Sequence, residues 1–156
     1  VHMNRDKQNQ EGYDDPTAYE AITNIEQEER ALQAFRPIVY ICSPYSGDVE
    51  RNTRAARNYS RYAVDKGYIP LAPHLLFPQF LGNEESANTR ELALHMGLIL
   101  LCHCREVWYF GDTISAGMKV ELLRARWRGI PVRHFSEDCR EVECFDNTAD
   151  SRRPDS

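Results

Sequence analysis

Short apolar runs alternate with segments of helical periodicity, and this alternation constrains the fold more than any other feature of the sequence. The run 38–42 (IVYIC) is apolar throughout and rich in residues that favour strands, which is typical of a strand buried on both faces. Three further runs follow, and a helical segment separates each from the next. We therefore predict an α/β fold: a doubly wound, flavodoxin-like or Rossmann-like parallel sheet of four to five strands, flanked by helices.

Turn and capping residues delimit the predicted elements. Strands are expected over 38–42, 68–72, 107–110 and 130–135. Helices are expected over 49–66, from Ser86 or Asn88 to about 104, and over 116–128, with a loop or short helix over 73–85. Asp48 is a suitable N-cap for the first of these helices, and Gly67 is a natural C-cap.

Composition divides the chain into four segments. Residues 1–17 are expected to be a tag remnant and a disordered polar tail, and residues 18–35 an N-terminal helix. The apolar residues of this helix lie near one face: Ala18, Ile22, Ile25 and Leu32. Residues 36–135 are expected to form the α/β domain, and residues 136–156 an acidic polar tail. The total of 156 residues fits one domain.

Charge is distributed unevenly over these segments. The chain has a net charge of −5, of which −5 lies in residues 1–35 and −4 in residues 136–156, so that residues 36–135 carry +4. A mildly basic centre between acidic ends favours a small anionic ligand over a nucleic-acid polymer.

Several classes of protein are excluded by what the sequence lacks. No apolar run is long enough to span a bilayer, and the polar N-terminus does not resemble a signal peptide, so no membrane partner is expected. The five cysteines are odd in number and form no C-x-x-C pair, which favours a reducing cytoplasm over a disulfide framework. No metal is expected, because Cys102-His103-Cys104 has no second ligand pair at zinc spacing.

The loops after the first and third predicted strands are the expected ligand site, because ligands of such sheets bind at the carboxyl ends of the strands. In the first loop, the hydroxyls of Ser43 and Ser46 are donors, and Gly47 permits close approach to the backbone. The following helix N-terminus favours an anion. The alternative is an ordinary capped turn, in which Arg51 and Arg54 of the following helix are merely solvated.

A second candidate segment runs from Ser115 to Glu121 (SAGMKVE). Gly117 and Glu121 are four residues apart on a predicted helix, so they share a face, and the glycine leaves room in front of the carboxylate. A carboxylate held there can attack an anomeric carbon and form a glycosyl-enzyme intermediate. The alternative is a surface glutamate that pairs with Arg124 or Arg128.

Together these segments resemble the nucleoside 2-deoxyribosyltransferase superfamily. The resemblance rests on Tyr40–Gly47 (YICSPYSG), on Ser115-x-Gly117-x-x-x-Glu121 and on the intervening Ala72-Pro73-His74, and it spans about residues 37–135. That superfamily includes 5′-monophosphate N-glycosidases and proteins of phages and mobile elements. The resemblance implies nucleotide or nucleoside chemistry without a metal or organic cofactor. It also implies a homodimer or higher homo-oligomer, since relatives build their sites at subunit contacts.

The resemblance also assigns roles to individual residues. Glu121 occupies the position of the catalytic nucleophile, and Tyr40 that of an aromatic residue lining the site. Ser115 matches a serine that binds the 5′-phosphate in the N-glycosidases, which points to a phosphorylated ligand. Three loop residues are further candidates for binding base or sugar: Tyr45, His74 and Asp112. For His74 and Asp112, a merely structural loop or turn role is the alternative.

The chain departs from the superfamily pattern at two acidic positions. Gly97 lies where many relatives have an aspartate that handles the proton of the base, and Arg105 replaces an acid before the third strand. Glu91 and His95 are four residues apart on the same predicted helix and are candidates to replace the missing acid.

Three functions are therefore weighed. The first is an enzyme that cleaves or exchanges the N-glycosidic bond of a nucleoside 5′-monophosphate or nucleoside. The second is a non-catalytic nucleotide-binding or sensing module of a mobile element, which Gly97 favours and Glu121 disfavours. The third is an interaction protein whose acidic N-terminal helix docks a partner.

Overall fold

The computed structural model describes residues 16–82 and 86–143, and the N-terminal helix forms a unit separate from the rest. This helix, α1, spans Pro16–Leu32 and so begins two residues earlier than predicted. Its first residue is a proline, which the first turn of a helix tolerates. The apolar residues Ile22, Ile25 and Leu32 are exposed. The expected disorder of residues 1–15 lies outside the described part of the chain.

The second unit is an α/β domain in which a five-stranded sheet is covered by helices. Its strands are β1 (Ile38–Cys42), β2 (Ile69–Leu71), β3 (Glu106–Phe110), β4 (Val132–Phe135) and β5 (Glu141–Val142). Its helices are α2 (Val49–Asp65), α3 (Pro73–Leu76), α4 (Pro78–Leu81), α5 (Ala87–Leu101) and α6 (Ala116–Trp127). The strand order is β2-β1-β3-β4-β5, and the first four strands are parallel, which confirms the predicted fold class.

A sheet of four to five strands was expected, but the position of the fifth strand was not identified from the sequence. It is antiparallel to β4, pairing Val142 with His134, and it lies in the segment expected to be a polar tail. Both residues of β5 are exposed, so the sequence shows no apolar run there. The guanidinium of Arg133 holds the strand by donating to both carboxylate oxygens of Glu141, at 2.8 and 2.7 Å. The expected tail beyond residue 143 lies outside the described residues.

The interior strand β1, which lies between β2 and β3, divides the core into two layers. Because side chains alternate along a strand, Val39 and Ile41 face the α2 layer with Tyr59, Trp108 and Phe110. Tyr40 and Cys42 face the opposite layer, together with Leu101 of α5 and Met118 and Leu122 of α6. A polar group at position 40 or 42 is therefore buried beneath α5 and α6.

The strand order places a crevice at the carboxyl ends of β1 and β3. The chain passes from β1 to β2 on one side and then to β3 on the other, which is the switch point where such sheets bind ligands. Side chains cap the helices that start at this edge: Asp48 accepts from the backbone N–H of Arg51, and Ser115 from that of Met118. The N-terminus of α6 therefore opens at the crevice.

Candidate functional site

A cavity of about 360 Å³ lies at this edge of the sheet, on the α5 and α6 side. Its size is suited to a small molecule. Its polar lining residues are Tyr40, Ser43, Tyr45, Ser46, His74, Arg90, Ser115 and Glu121. Its other lining residues are Pro73, Phe77, Ala93, Leu94, Ala116, Gly117, Met118 and Val120.

The carboxylate of Glu121 is the most deeply buried charged group of the described chain, with 5% of the residue exposed. The hydroxyl of Tyr40 donates to Oε1 at 2.7 Å, and the thiol of Cys42 donates to Oε2 at 3.0 Å. Burial raises the pKa of Glu121, and these two hydrogen bonds oppose the increase. Burial and the nearby carboxylate raise the pKa of Tyr40 and of Cys42, so both groups remain donors.

Local sequence explains how this cluster forms. Tyr40 and Cys42 are two residues apart on one strand, so both point at the same partner on α6. Gly97 of α5 leaves room for the phenol, because a Cβ at this position would lie 3.0 Å from the Tyr40 hydroxyl oxygen. Gly97 replaces the aspartate expected from the resemblance, and the tyrosine hydroxyl lies against this position.

The start of α6 is open to the cavity. A Cβ added at Gly117 would meet no atom within 4 Å, so this position leaves free space one helical turn before Glu121. The Ser115 oxygen accepts a hydrogen bond from the Met118 backbone, which leaves its O–H able to donate to a ligand.

The loop after β1 is held in place by its neighbours. Nε2 of His74 lies 2.8 Å from the carbonyl oxygen of Ser43, and since a carbonyl only accepts, this nitrogen carries the proton. Burial lowers the pKa of His74, more than its hydrogen bond raises it, and the ring stacks on Tyr45 at 5.1 Å. The side-chain amide of Asn52 donates to the carbonyls of Tyr45 and Ser46, each at 3.1 Å. Within the described chain, the buried Ser43 hydroxyl has no hydrogen-bond partner.

Several residues singled out from the sequence lie elsewhere. Glu91 and His95 are exposed on α5 and do not line the cavity, so neither is placed to replace the missing aspartate there. Asp112 lines a different cavity, of about 320 Å³, beside Tyr59 on the α2 side. Gly47 is exposed with a φ of 96° and forms the turn behind the lining residue Ser46. Arg105, at the other departure from the superfamily pattern, is exposed before β3.

Two residues of the site were missed. Cys42 was read only as part of an apolar strand, although the Y-x-C spacing places it on the same face as Tyr40. Arg90 lines the cavity from the first turns of α5. The signal for Arg90 was the helical spacing of Arg90, Ala93 and Gly97, since the two small residues mark the buried face.

Some site types have no support in the described residues. Across 16–82 and 86–143, no group of three or more His, Cys, Asp or Glu side chains is arranged to hold a metal ion. None of the helices described there combines the length and the apolar character needed to cross a membrane. The cysteines Cys42, Cys102, Cys104 and Cys139 are free thiols.

The four parallel strands, their order and the switch-point crevice define a Rossmann-like α/β domain. Residues 37–135 match DUF7768, a domain family of unknown function, and the chain belongs to that family. Among solved structures, the chain is similar to a 2-deoxyribosyltransferase from Bacillus psychrosaccharolyticus, described as a biocatalyst for nucleoside synthesis. The two are 19% identical with a TM-score of 0.52, over 68% of this chain and 77% of the other, a likeness that shows the fold. No curated protein matches this chain significantly.

Proposed function

We propose that this protein cleaves or exchanges the N-glycosidic bond of a nucleoside 5′-monophosphate or nucleoside, with Glu121 as the nucleophile. One observation carries the proposal: a buried carboxylate lines a cavity of ligand size and receives a hydrogen bond on each oxygen. A structural glutamate in an apolar layer would be expensive to bury, whereas a nucleophile needs such a position. The fold shared with a 2-deoxyribosyltransferase supports this proposal.

Hydrolysis proceeds in two steps at Glu121 and needs no co-reactant other than water. A carboxylate oxygen of Glu121 forms a bond to the anomeric carbon while the C–N bond breaks. The electron pair of the C–N bond leaves with the base, and the base takes a proton from water. Water then attacks the anomeric carbon, the ester C–O bond breaks, and the carboxylate is regenerated with loss of a proton to solvent. In the base-exchange reaction, a second base replaces this water as the attacking nucleophile.

The donors around Glu121 support this role. Only the ionised carboxylate attacks, and burial favours the neutral form, so Tyr40 and Cys42 are needed to stabilise the charge. Activity should therefore rise with pH as the carboxyl of Glu121 ionises.

An arginine and a helix N-terminus at the cavity favour a phosphorylated substrate. The guanidinium-bearing Arg90 lines the cavity, as do the hydroxyl of Ser115 and the first residues of α6. A helix N-terminus and an arginine both attract a phosphate group. We assign the 5′-phosphate to Arg90, Ser115 and the N-terminus of α6, and the sugar to the space in front of Gly117.

The base is assigned to the stacked pair formed by Tyr45 and His74, which also lines the cavity. Because burial lowers the pKa of His74, the ring is neutral near pH 7 and acts as a hydrogen-bond partner, not as a strong acid. With Gly97 in place of an aspartate, the leaving base takes its proton from solvent, which predicts slow turnover.

A nucleotide-binding module is the second candidate function. The observation that favours it is the absence, among the described lining residues, of a carboxyl group other than Glu121. Such a module would bind the same ligands in the same cavity without releasing a base. The free thiols described above fit a reducing cytoplasm, which we retain as part of the proposal.

Homo-oligomer formation also belongs to the proposal, with a second copy of the chain packed against α5 and α6. Their outer apolar residues are 40–78% exposed: Leu92, Ile99, Val120, Leu123 and Trp127. Val120 also lines the cavity, so this apolar surface is continuous with the site. Sedimentation of Leu123→Glu should show loss of the oligomer, whereas Val64→Glu on α2 should not; a monomeric wild type would contradict the idea.

Chromatographic detection of free base tests the main proposal. Wild type, Glu121→Gln and Glu91→Gln are each incubated with a panel of nucleosides and their 5′-monophosphates. We expect base release by wild type and Glu91→Gln, and a loss of about 10³-fold or more in Glu121→Gln. Tight nucleotide binding without release would establish the binding module instead, and undiminished release by Glu121→Gln would remove the nucleophile.

A further inference from the structure

The thiol of Cys42 contacts the carboxylate of Glu121 from within the core. Its Sγ lies 3.0 Å from Oε2 of Glu121, Cys42 is fully buried, and it is not among the lining residues. Tyr40, which holds Oε1, does line the cavity. The two oxygens of Glu121 therefore have different partners: Oε1 is held by a residue that lines the cavity, and Oε2 by a buried residue that does not.

We propose that Cys42 is a positioning residue, whose thiol anchors Oε2 of Glu121 and leaves Oε1 as the oxygen that attacks the sugar. The assignment of the attacking oxygen rests on the proposed function; the anchoring of Oε2 does not. Two donors on two oxygens fix the plane of the carboxylate, since rotation about the last side-chain bond would break both contacts. Misplacing a nucleophile by a fraction of an ångström slows its reaction.

The proposed geometry is compatible with the bonds made and broken. When Oε1 bonds to the anomeric carbon and the C–N electron pair leaves with the base, Oε2 becomes the carbonyl oxygen of the ester. A carbonyl oxygen still accepts a hydrogen bond, so the thiol contact persists through the intermediate. The Tyr40 hydroxyl loses its charged acceptor at the same moment.

A thiol suits this position because it is a weak donor. It orients Oε2 and withdraws less charge from the carboxylate than a second hydroxyl at this position would. Burial and the adjacent carboxylate raise the pKa of Cys42, so the sulfur keeps its proton. The titratable and charged groups around this pair are Tyr40, which donates to the same carboxylate, Cys104 in the same core cluster, and His74 and Arg90, which line the cavity with Glu121.

The test compares Cys42→Ala with Cys104→Ala. Cys104 is a matched control, because it is a buried thiol of the same core cluster that donates to the Leu100 carbonyl at 3.3 Å instead of to Glu121. Carbon-13 NMR of glutamate-labelled protein, with Glu121→Gln to assign the signal, gives the pKa of the Glu121 carboxyl. Loss of a donor disfavours the charged form, so this pKa should rise by about one pH unit in Cys42→Ala and stay unchanged in Cys104→Ala.

Kinetics provide the second measurement. In Cys42→Ala, kcat should fall about tenfold with KM within about twofold, and the acidic limb of the pH profile should move to higher pH. Cys42→Ser, which keeps a donor, should recover part of both effects. An unchanged Glu121 pKa, or equal changes in the two alanine variants, would overturn the positioning role. The NMR titration needs no turnover, so a failure of the glycosidic reaction is recognised separately from a failure of this inference.

Discussion

The hydroxyl of Tyr40 on β1 donates a 2.7 Å hydrogen bond to Oε1 of Glu121 on α6, 81 residues further along the chain. This bond joins two elements across an otherwise apolar layer. Removing the donor of a buried hydrogen bond to a charged group is costly, because the remaining charge keeps its desolvation penalty. The pair therefore links the stability of the α6 layer to the orientation of the carboxylate.

Replacing Tyr40 with phenylalanine should reduce activity without unfolding the protein. The substitution removes the shorter of the two donors to Glu121, so we expect kcat to fall about 10- to 100-fold and the Glu121 pKa to rise. Tyr59→Phe is the control, because Tyr59 is a buried tyrosine in the opposite core layer. Steady-state kinetics across pH provide the measurement, and equal effects of the two variants would argue against a role of the hydroxyl.

Adding a methyl group at Gly97 should destabilise the fold. The new Cβ would lie 3.0 Å from the Tyr40 hydroxyl oxygen, which is buried and cannot move away freely. We expect Gly97→Ala to lower the free energy of unfolding by about 1–2 kcal/mol, since overpacking outweighs the gain in helix propensity. Urea denaturation measures this difference, and a stabilised variant would show that the phenol has room to shift.

The same substitution at Gly117 should have the opposite pattern. A Cβ there meets no atom within 4 Å, so stability should be unchanged or increase by up to about 1 kcal/mol. The methyl group would instead occupy space in front of Glu121, and we expect nucleotide affinity to fall about tenfold or more. Calorimetric titration against wild type tests this, and unaltered affinity would place the sugar elsewhere.

Neutralising Glu121 should stabilise the protein in a pH-dependent manner. The folded-state pKa of this acid is raised by burial, so the stability of its protonated form is present below the unfolded value and is lost as pH rises through the folded value. Glu121→Gln does not undergo this loss. We expect similar melting temperatures near pH 4, and an advantage of about 2–4 °C for the variant at neutral pH.

The comparison is made by scanning calorimetry of both proteins between acidic and neutral pH, with Glu50→Gln as an exposed control on α2. A wild type that is the more stable protein at neutral pH would mean that the two donors more than offset the burial of the charge. In that case the carboxylate would be part of the structural core.

Substituting Arg90 should affect phosphorylated ligands selectively. Because Arg90 lines the cavity, Arg90→Gln should weaken binding of a nucleoside 5′-monophosphate about 10- to 100-fold and leave the matching nucleoside nearly unaffected. Arg54→Gln is the control, since Arg54 pairs with Glu50 on α2 outside the cavity. Calorimetric titrations of both ligands decide the matter; an equal loss for nucleoside and nucleotide would mean that Arg90 does not bind the phosphate.

The part of the fold that could be predicted is the part with a clear apolar period. In the run 38–42, residues 39–42 are buried as the composition indicates and Ile38 is exposed, and Asp48 and Ser115 cap the helices expected after the two loops. By contrast, β5 has two exposed residues and owes its position to pairing with β4 and to Arg133, neither of which produces a pattern in the sequence.

The site was predictable to the extent that its residues follow strand ends or share a helix face. Glu121 could be singled out because Gly117 precedes it by one turn, but α5 has apolar residues on several sides, so the sequence alone did not determine its buried face. The prediction placed Glu91 and His95 on the face toward the site. In the structure the opposite choice holds: Arg90 lines the cavity, and Gly97 lies against the Tyr40 hydroxyl.

The amide of Asn52, which donates to two successive carbonyls of the loop after β1, has a consequence for the thermodynamics of binding. A loop already held to the helix behind it would lose little conformational freedom on binding the proposed ligand. Most of the interaction energy would then be available as affinity, because little of it is needed to order the loop. Asn52→Ala would remove both hydrogen bonds, so that the loop would have to become ordered when the ligand binds.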